Sequence, residues 1–518
     1  MSALDKEKET MMISHLLKGN IKDLFCYLKN FRMNPAKLVD PKGNTALQLS
    51  ALNGSFGQID FLIKFVENYY GNVNIKDWVN HKNLDGITCL HLAVFRGNYA
   101  SVELLIEKGA DINAITEQGL NMIHVAAQGD QMLLLSYFKE LGLSFTLRDI
   151  KGATPLHWAA YLGCEQSSAV LISWKVQIDP IDDSGYTPLH LASIAGNPRI
   201  TRLLMLRGAK ENVSDFKGRT PMDFARENEF VKIIELLRPP DLLSLCGIKP
   251  PQRPVKYRRV LMYIFIVIMT GSIGTNIGVL GIYNGFYIGI CFLQVCFFFI
   301  VTFKSPGYLP KKTKSLLELC KEYDSIQICP ECVARRTPRS RHCQCCDMCV
   351  EKFDHHCPWI NNCIGARNLG VFFVFIIISF LFLVITAYYD FLYLNIYLHT
   401  EPLLSYFAYE PFIALFWLAL AVGFFFPLLM LVWVQIGNFL TNTTTNERYS
   451  RNPSAPAERS DSDDNVDRSN FYRNITEMCC NSQNDQEKFK KRRIEKSQCD
   501  FDALASEYEE TMSRSKTS

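Results

Sequence analysis

The run VLMYIFIVIMTGSIGTNIGVLGIYNGFYIGICFLQVCFFFIVTF, from Val260 to Phe303, is 44 residues long and holds no acidic or basic side chain. An α-helix crosses the hydrocarbon core of a bilayer in about 20 residues, so this length predicts two membrane helices. A tight turn between them is expected near Tyr283-Asn284. A second apolar block runs from Leu369 to Gln435. Its only acids, Asp390, Glu401 and Glu410, fall towards its middle and read as a loop between spans at about 370–391 and 411–434. Buried helices of a soluble core are the alternative, and apolar runs this long argue against it.

Lysine and arginine set the orientation. Lys256, Arg258 and Arg259 precede the first span, and Lys304, Lys311, Lys312 and Lys314 follow the second. Arg367 precedes the third and Arg448 follows the fourth, whereas the two remaining loops carry neither residue. The positive-inside rule then places both termini and residues 304–368 in the cytosol. The start, Met1-Ser2-Ala3-Leu4-Asp5, lacks an apolar signal core. Over 518 residues the net charge is only +3, which argues against a general nucleic-acid binder.

On the N-terminal side of the spans the chain repeats itself. Gly86, Gly119, Gly152, Gly185 and Gly218 are each 33 residues apart, and His91, His124, His157 and His190 keep that period. Lys151-Gly152-Ala153-Thr154-Pro155-Leu156-His157-Trp158-Ala159-Ala160 and Ser184-Gly185-Tyr186-Thr187-Pro188-Leu189-His190-Leu191-Ala192 are the fullest copies. The period and the T-P-L-H-x-A signature resemble the ankyrin repeat. Gly permits the turn, Pro starts a helix, and Leu and Ala fill the core between repeats. Gly43 opens a looser copy 43 residues before Gly86, so about ten residues are inserted, with Val66 to Asp77 the expected place. About six repeats, caps included, are expected over residues 11–240. Their expected role is to dock partner proteins on the concave face. The repeated histidines sit in separate repeats and read as local hydrogen-bonding groups. Trp158 reads equally as a docking anchor or as core packing.

Between the second and third spans, eight of the 18 cysteines cluster from Cys329 to Cys363. In a reducing cytosol such clustering points to metal or catalysis rather than disulfides. The donors are Cys329, Cys332, His342, Cys343, Cys345, Cys346, Cys349, His355, His356, Cys357 and Cys363. Cys329/Cys332, Cys343/Cys346 and Cys346/Cys349 all have the Cys-x2-Cys spacing that brings two thiolates to one tetrahedral zinc. Two closed sites would use eight donors and leave three, and counting alone does not say which three.

The stretch from Cys329 to Asn368 resembles the cysteine-rich domain of the DHHC protein S-acyltransferases. The resemblance rests on Cys329-x2-Cys332, Pro338-Arg339-Ser340-Arg341-His342-Cys343-x2-Cys346-x2-Cys349 and Asp354-His355-His356-Cys357-Pro358-Trp359-Ile360-Asn361-Asn362-Cys363-Ile364-Gly365. It implies two interleaved structural zinc ions. One would be held by Cys329, Cys332, His342 and Cys349, the other by Cys343, Cys346, His356 and Cys363. It leaves Cys345 as a bystander and makes Cys357 the nucleophile, with His355 as base and Asp354 orienting the imidazole. The implied reaction is two-step acyl transfer from palmitoyl-CoA through Cys357 to cysteines of membrane-associated substrate proteins. A Golgi or other endomembrane location goes with the resemblance.

The expected architecture is therefore mainly α: a cytosolic ankyrin-repeat solenoid, spans at 260–303, a two-zinc cytosolic domain at 304–368, spans at 369–435 and a cytosolic tail at 436–518. Ser305-Pro306-Gly307 departs from the family's Asp-Pro-Gly, whereas Thr444-Thr445-Asn446-Glu447 matches its Thr-Thr-x-Glu and reads as a tie between the tail and the active domain. Arg335, Arg336, Arg339 and Arg341 read as a basic cluster for lipid headgroups or CoA phosphates, or as a solvated face. In the tail, Arg451 to Asn470 reads as disordered, Phe471-Tyr472-Arg473-Asn474 as a weak family motif, and Lys488 to Arg493 as a basic stretch. Cys479-Cys480 are candidates for acylation themselves.

Overall fold

A computed structural model describes residues 3–239, 259–278, 280–311, 314–400 and 409–450. The tail beyond 450, with its four expected features, lies outside the described residues. The chain forms two compact units, Met1–Pro254 with Lys311–Arg335, and Val255–Pro310 with Arg336–Ser518.

The first unit is a stack of helix pairs: α1 (Ala3–Lys18) and α2 (Ile21–Phe31), α3 (Ala46–Leu52) and α4 (Phe56–Tyr69), then, after the short α5 (Ile75–Val79), α6 (Cys89–Arg96) and α7 (Tyr99–Glu107). The stack continues with α8 (Met122–Gln128) and α9 (Met132–Glu140), α10 (Pro155–Leu162) and α11 (Glu165–Ser173), α12 (Pro188–Ile194) and α13 (Pro198–Leu206), and α14 (Pro221–Glu227) and α15 (Val231–Leu237). That makes seven pairs among the described residues, one more than expected. The first pair lacks the T-P-L-H signature, and its core side chains Met12, Leu16, Leu24 and Leu28 are fully buried. The wider spacing before Gly86 is taken up by α5 and by α4, which has 14 residues where α7, α9, α11 and α13 have nine.

The signature residues explain the stacking. Thr88, Thr154 and Thr187 cap α6, α10 and α12, and the histidine three residues on returns a bond to the cap backbone. In three repeats the far ring nitrogen of the histidine reaches the next repeat: Nε2 lies 3.3 Å from the Ala153 carbonyl for His124, whose helix Asn121 caps in place of threonine, 3.0 Å from Tyr186 for His157 and 3.3 Å from Arg219 for His190. Gly86 has φ +72°, and a Cβ there would lie 2.6 Å from the Glu117 nitrogen of the next turn. Trp158 is half-buried, and its indole donates to Asp149 at 3.0 Å.

Burial holds His91 and His124 near 4, against 6.5 for an ordinary histidine; hydrogen bonds to backbone carbonyls offset it only in part. Between pH 6.5 and 4 the unfolded chain therefore binds protons that the folded chain refuses. The stabilisation from keeping these rings neutral is fully present above pH 6.5 and is lost as pH falls towards 4. Hydrogen-exchange protection of α6 and α8, corrected for intrinsic rates, is expected to fall on the order of ten-fold or more from pH 7 to pH 5. Unchanged protection would contradict the buried neutral state.

The second unit holds four helices long and apolar enough to cross a membrane: α16 (Val260–Gly278), α17 (Gly285–Phe303), α19 (Leu369–Thr400) and α20 (Tyr409–Thr441). The chain is a multi-pass membrane protein. Asn284 caps α17, where the turn was expected. The third span departs from expectation. Asp390 does not mark a loop but sits inside α19, fully buried. A carboxyl can stay in a membrane helix when it faces other helices rather than lipid, and this stretch faces a polar seam. There Asn276 donates to Tyr287 at 3.0 Å, and Tyr287 lies 3.5 Å from Thr386.

Candidate active site

Three two-stranded antiparallel hairpins carry the cysteines. They are β1 (Ile328–Cys329) with β2 (Ala334–Arg335), β3 (Arg341–Cys343) with β4 (Met348–Val350), and β5 (His355–Cys357) with β6 (Asn362–Ile364). The first belongs to the ankyrin unit and the others to the membrane unit. Strands so short bury almost nothing by themselves, so hairpins of this kind need another source of stability.

Strand alternation sorts the two adjacent histidines. In β5 successive side chains point to opposite faces, so His355 and Cys357 share one face and His356 takes the other. His356 pairs across the ladder with Cys363. On that face the donor atoms of Cys343, Cys346, His356 and Cys363 all lie within 4.8 Å of one another. His356 Nδ1 is 3.4 Å from Cys346 Sγ and 3.5 Å from Cys363 Sγ, and the two sulfurs are 3.4 Å apart. Ligands about 2.3 Å from a tetrahedral zinc are separated by roughly 3.8 Å, so these residues fit such an ion. Hydrogen bonds from Cys345, Cys346 and Cys363 lower the Cys343 thiol, and the same crowding of sulfurs raises Cys363.

The other four expected ligands form two pairs. In the ankyrin unit Cys329 and Cys332 are both buried, and the Cys332 amide donates to Cys329 Sγ at 3.5 Å. In the membrane unit His342 Nδ1 lies 3.9 Å from Cys349 Sγ.

On the opposite face of β5, His355 Nδ1 is 2.8 Å from Asp354 Oδ2. This leaves the other ring nitrogen for Cys357, with which His355 shares a hydrogen bond. Burial opposes a charge on the imidazole, but the Asp354 carboxylate and the Cys357 sulfur outweigh it and lift His355 to about 10. Burial likewise pushes the Cys357 thiol up, and the hydrogen bond and positive charge of His355 bring it below its ordinary value. The pair thus favours thiolate beside imidazolium. Cys357 is 7% exposed and packs in an apolar cluster with Met269, Phe298, Ile360 and Phe372. Trp359 lies edge-on to Phe265 and Phe424 beside it.

Asp354 is fully buried and every partner donates to it. Besides His355, the Thr445 amide donates to Oδ1, and the Thr445 hydroxyl and Gln435 amide donate to Oδ2 at 3.0 and 3.1 Å. Burial raises a carboxyl, but these bonds hold Asp354 below the ordinary value. Thr445 is fixed in turn: Asn438 donates to its hydroxyl at 2.8 Å, and it opens α21 (Thr445–Ser450), which Thr444 and Glu447 cap reciprocally. Arg339 grips both oxygens of Glu447 at 2.6 and 2.9 Å, and Arg341 donates to Asn446 at 2.8 Å. Two of the four arginines thus tie the C-terminal end of the fourth span to the cysteine-rich domain.

Gln435, Asn438 and Asn362 are functional neighbours that sequence reading passed over. Asn362 donates to the carbonyls of Val301, Thr302 and Lys304, each at 3.0 Å, and so caps α17. The available signal for the first two was two amide side chains at the end of an apolar helix. Ser305 accepts a bond from the Gly307 amide at 3.3 Å, in place of the expected acid.

The model of the DHHC palmitoyltransferase family matches residues 322–452. Ankyrin-repeat models match 10–116 and 175–225. Similar curated proteins include palmitoyltransferase ZDHHC8 of Mus musculus, 37% identical over 179 residues, which covers 32% of this chain and 23% of the relative. Palmitoyltransferase ZDHHC4 of Mus musculus is 38% identical over 16% of this chain and 26% of its own. Palmitoyltransferase ZDHHC8B of Danio rerio is 43% identical over 18% and 14%. The matches span about a quarter or less of these relatives' length. This chain carries a DHHC palmitoyltransferase domain framed by four membrane-crossing helices and preceded by ankyrin repeats.

Proposed function

We propose that the protein is an S-palmitoyltransferase that acylates itself on Cys357 and passes the acyl group to cysteines of substrate proteins. The observation that carries this reading is the Asp354–His355–Cys357 line-up beside an apolar wall of span residues. His355 takes the thiol proton, and the Cys357 sulfur attacks the thioester carbonyl of palmitoyl-CoA. The sulfur–carbonyl bond of the enzyme forms as that of CoA breaks, and the CoA thiolate leaves with the proton. In the second half a substrate thiol gives its proton to His355, attacks the acyl-Cys357 thioester and releases Cys357. Asp354 keeps one ring nitrogen engaged so that the other faces the sulfur.

Two structural zinc ions complete this reading, one on Cys343, Cys346, His356 and Cys363, the other on Cys329, Cys332, His342 and Cys349. Bound there, they stabilise the hairpins and take no part in the acyl transfer. Both termini lie in the cytosol, the membrane is a Golgi or related endomembrane, and the ankyrin repeats recruit substrates carrying membrane-proximal cysteines. The test is incubation of purified protein with labelled palmitoyl-CoA, followed by mass spectrometry. Hydroxylamine-sensitive label on the Cys357 peptide is the expected result. Absence of label would refute the enzyme reading and leave a membrane-tethered scaffold.

A further inference from the structure

The ankyrin unit includes a piece of the cysteine-rich domain. Ser315 and Glu318 cap a short helix, α18 (Leu316–Glu322), which packs on α9 with Leu317 and Leu319 buried. Cys320 shares a hydrogen bond with Ser136 of α9. Lys321 Nζ lies 4.8 Å above the ring of Tyr99 of α7, which meets Tyr137 edge-on. Further along, Ile328 of β1 is 1% exposed and belongs, with Leu319, to the same apolar core as the repeats. Glu331, between Cys329 and Cys332 in the hairpin's turn, forms an ion pair with Arg207 at the end of α13, and its carboxylate is only 10% exposed. The contacts with α7, α9 and α13 all fall on second helices of the pairs, the row opposite the T-P-L-H helices.

We propose that this second-helix face is an intramolecular docking surface that holds the Cys329/Cys332 hairpin ready for metal, so that the repeats sustain the metal content of the domain as well as recruiting partners. The proposal rests on the reading of Cys329 and Cys332 as ligands. A hairpin of two-residue strands cannot hold its own shape in water. Fixing it on a folded stack removes much of the ordering cost that metal binding otherwise bears. It also divides the solenoid: the second-helix face serves the chain itself, and the first-helix face is left for recruitment.

The test uses the full chain in detergent, as wild type, Arg207→Glu, Glu331→Arg, the double charge swap, and Leu319→Asp. Zinc per chain is measured, together with the alkylation rate of each cysteine by mass spectrometry. Either single charge variant leaves a partly buried like-charge pair, and Leu319→Asp breaks the apolar contact. Each is expected to speed alkylation of Cys329 and Cys332 roughly ten-fold and to lower bound zinc, with Cys343, Cys346 and Cys363 still protected. The double swap is expected to restore protection. Wild-type protection in every variant, or failure of the swap to rescue, overturns the proposal. Rapid alkylation of Cys329 and Cys332 in the wild type overturns it at its premise, and self-acylation of Cys357 in the same sample reports separately on the enzyme reading.

Discussion

Cys357→Ser is expected to abolish hydroxylamine-sensitive labelling by palmitoyl-CoA, and Asp354→Asn to lower its rate roughly 10²–10⁴-fold, the range of general-base catalysis, because His355 acts as base only while Asp354 orients it. The two effects have different causes. Serine keeps the fold and the size of the nucleophile, but its hydroxyl is far harder to ionise than a thiol, and any ester it forms resists hydroxylamine. Asparagine keeps the shape of Asp354 but not its acceptors. Thr445, Gln435 and His355 all donate to the carboxylate, and an amide offers one oxygen and turns its NH2 group onto the remaining donors. The imidazole then loses its orientation and the charge that supports its proton. Single-turnover labelling measures both variants, and zinc content and expression are expected to match wild type. A labelling rate for Asp354→Asn within two-fold of wild type, about 0.4 kcal/mol by the usual conversion, would remove Asp354 from the mechanism.

Cys343→Ser or Cys363→Ser is expected to abolish metal binding by the group Cys343, Cys346, His356 and Cys363 and to silence labelling indirectly. Loss of one thiolate from a closed site costs more than the roughly 10–100-fold in affinity that an outer-sphere partner contributes. Because Cys363 pairs with His356 across the ladder, losing the ion loosens β5, and with it the face carrying His355 and Cys357. Elemental analysis is expected to show one zinc per chain against two for wild type, with new protease cleavage between residues 341 and 364. Gly365→Ala should act in the same direction without removing a ligand. A Cβ there would lie 2.5 Å from Val350 Cγ1 and 2.7 Å from the Glu351 and Pro306 carbonyls, so the hairpins would have to separate. By contrast Cys345→Ser should retain both ions. Loss of zinc in that variant would show that the donors are assigned wrongly.

The sequence by itself determined a great deal. Periodicity placed the repeats, because a 33-residue unit must present the same turn, cap and core residues each time to stack. Apolar length placed the spans, because lipid leaves the backbone no other partner. Donor spacing pointed to metal-binding turns, because Cys-x2-Cys is what a tight turn around one ion requires, while the division of the donors into two sets came from the family resemblance. Where the sequence fell short, the missing information was a distance between residues far apart in the chain. Asp390 looked like a loop residue, since nothing local shows that Asn276, Tyr287 and Thr386 form a polar seam among the spans. Thr445 and Gln435 converge on Asp354 from about 90 and 80 residues away, a meeting that only the return of the fourth span produces. Of the four arginines read as a lipid or CoA surface, Arg339 bonds Glu447 and Arg341 bonds Asn446, residues more than 100 positions away. The family resemblance already paired His355 with Cys357 and set His356 among the ligands, and strand pleat supplies the physical reason, since alternate residues of β5 face opposite ways. And only the tertiary structure put Leu319, Ile328 and Glu331 against the second helices of the repeats, where burial and one ion pair join two segments that the sequence separates by more than 100 residues.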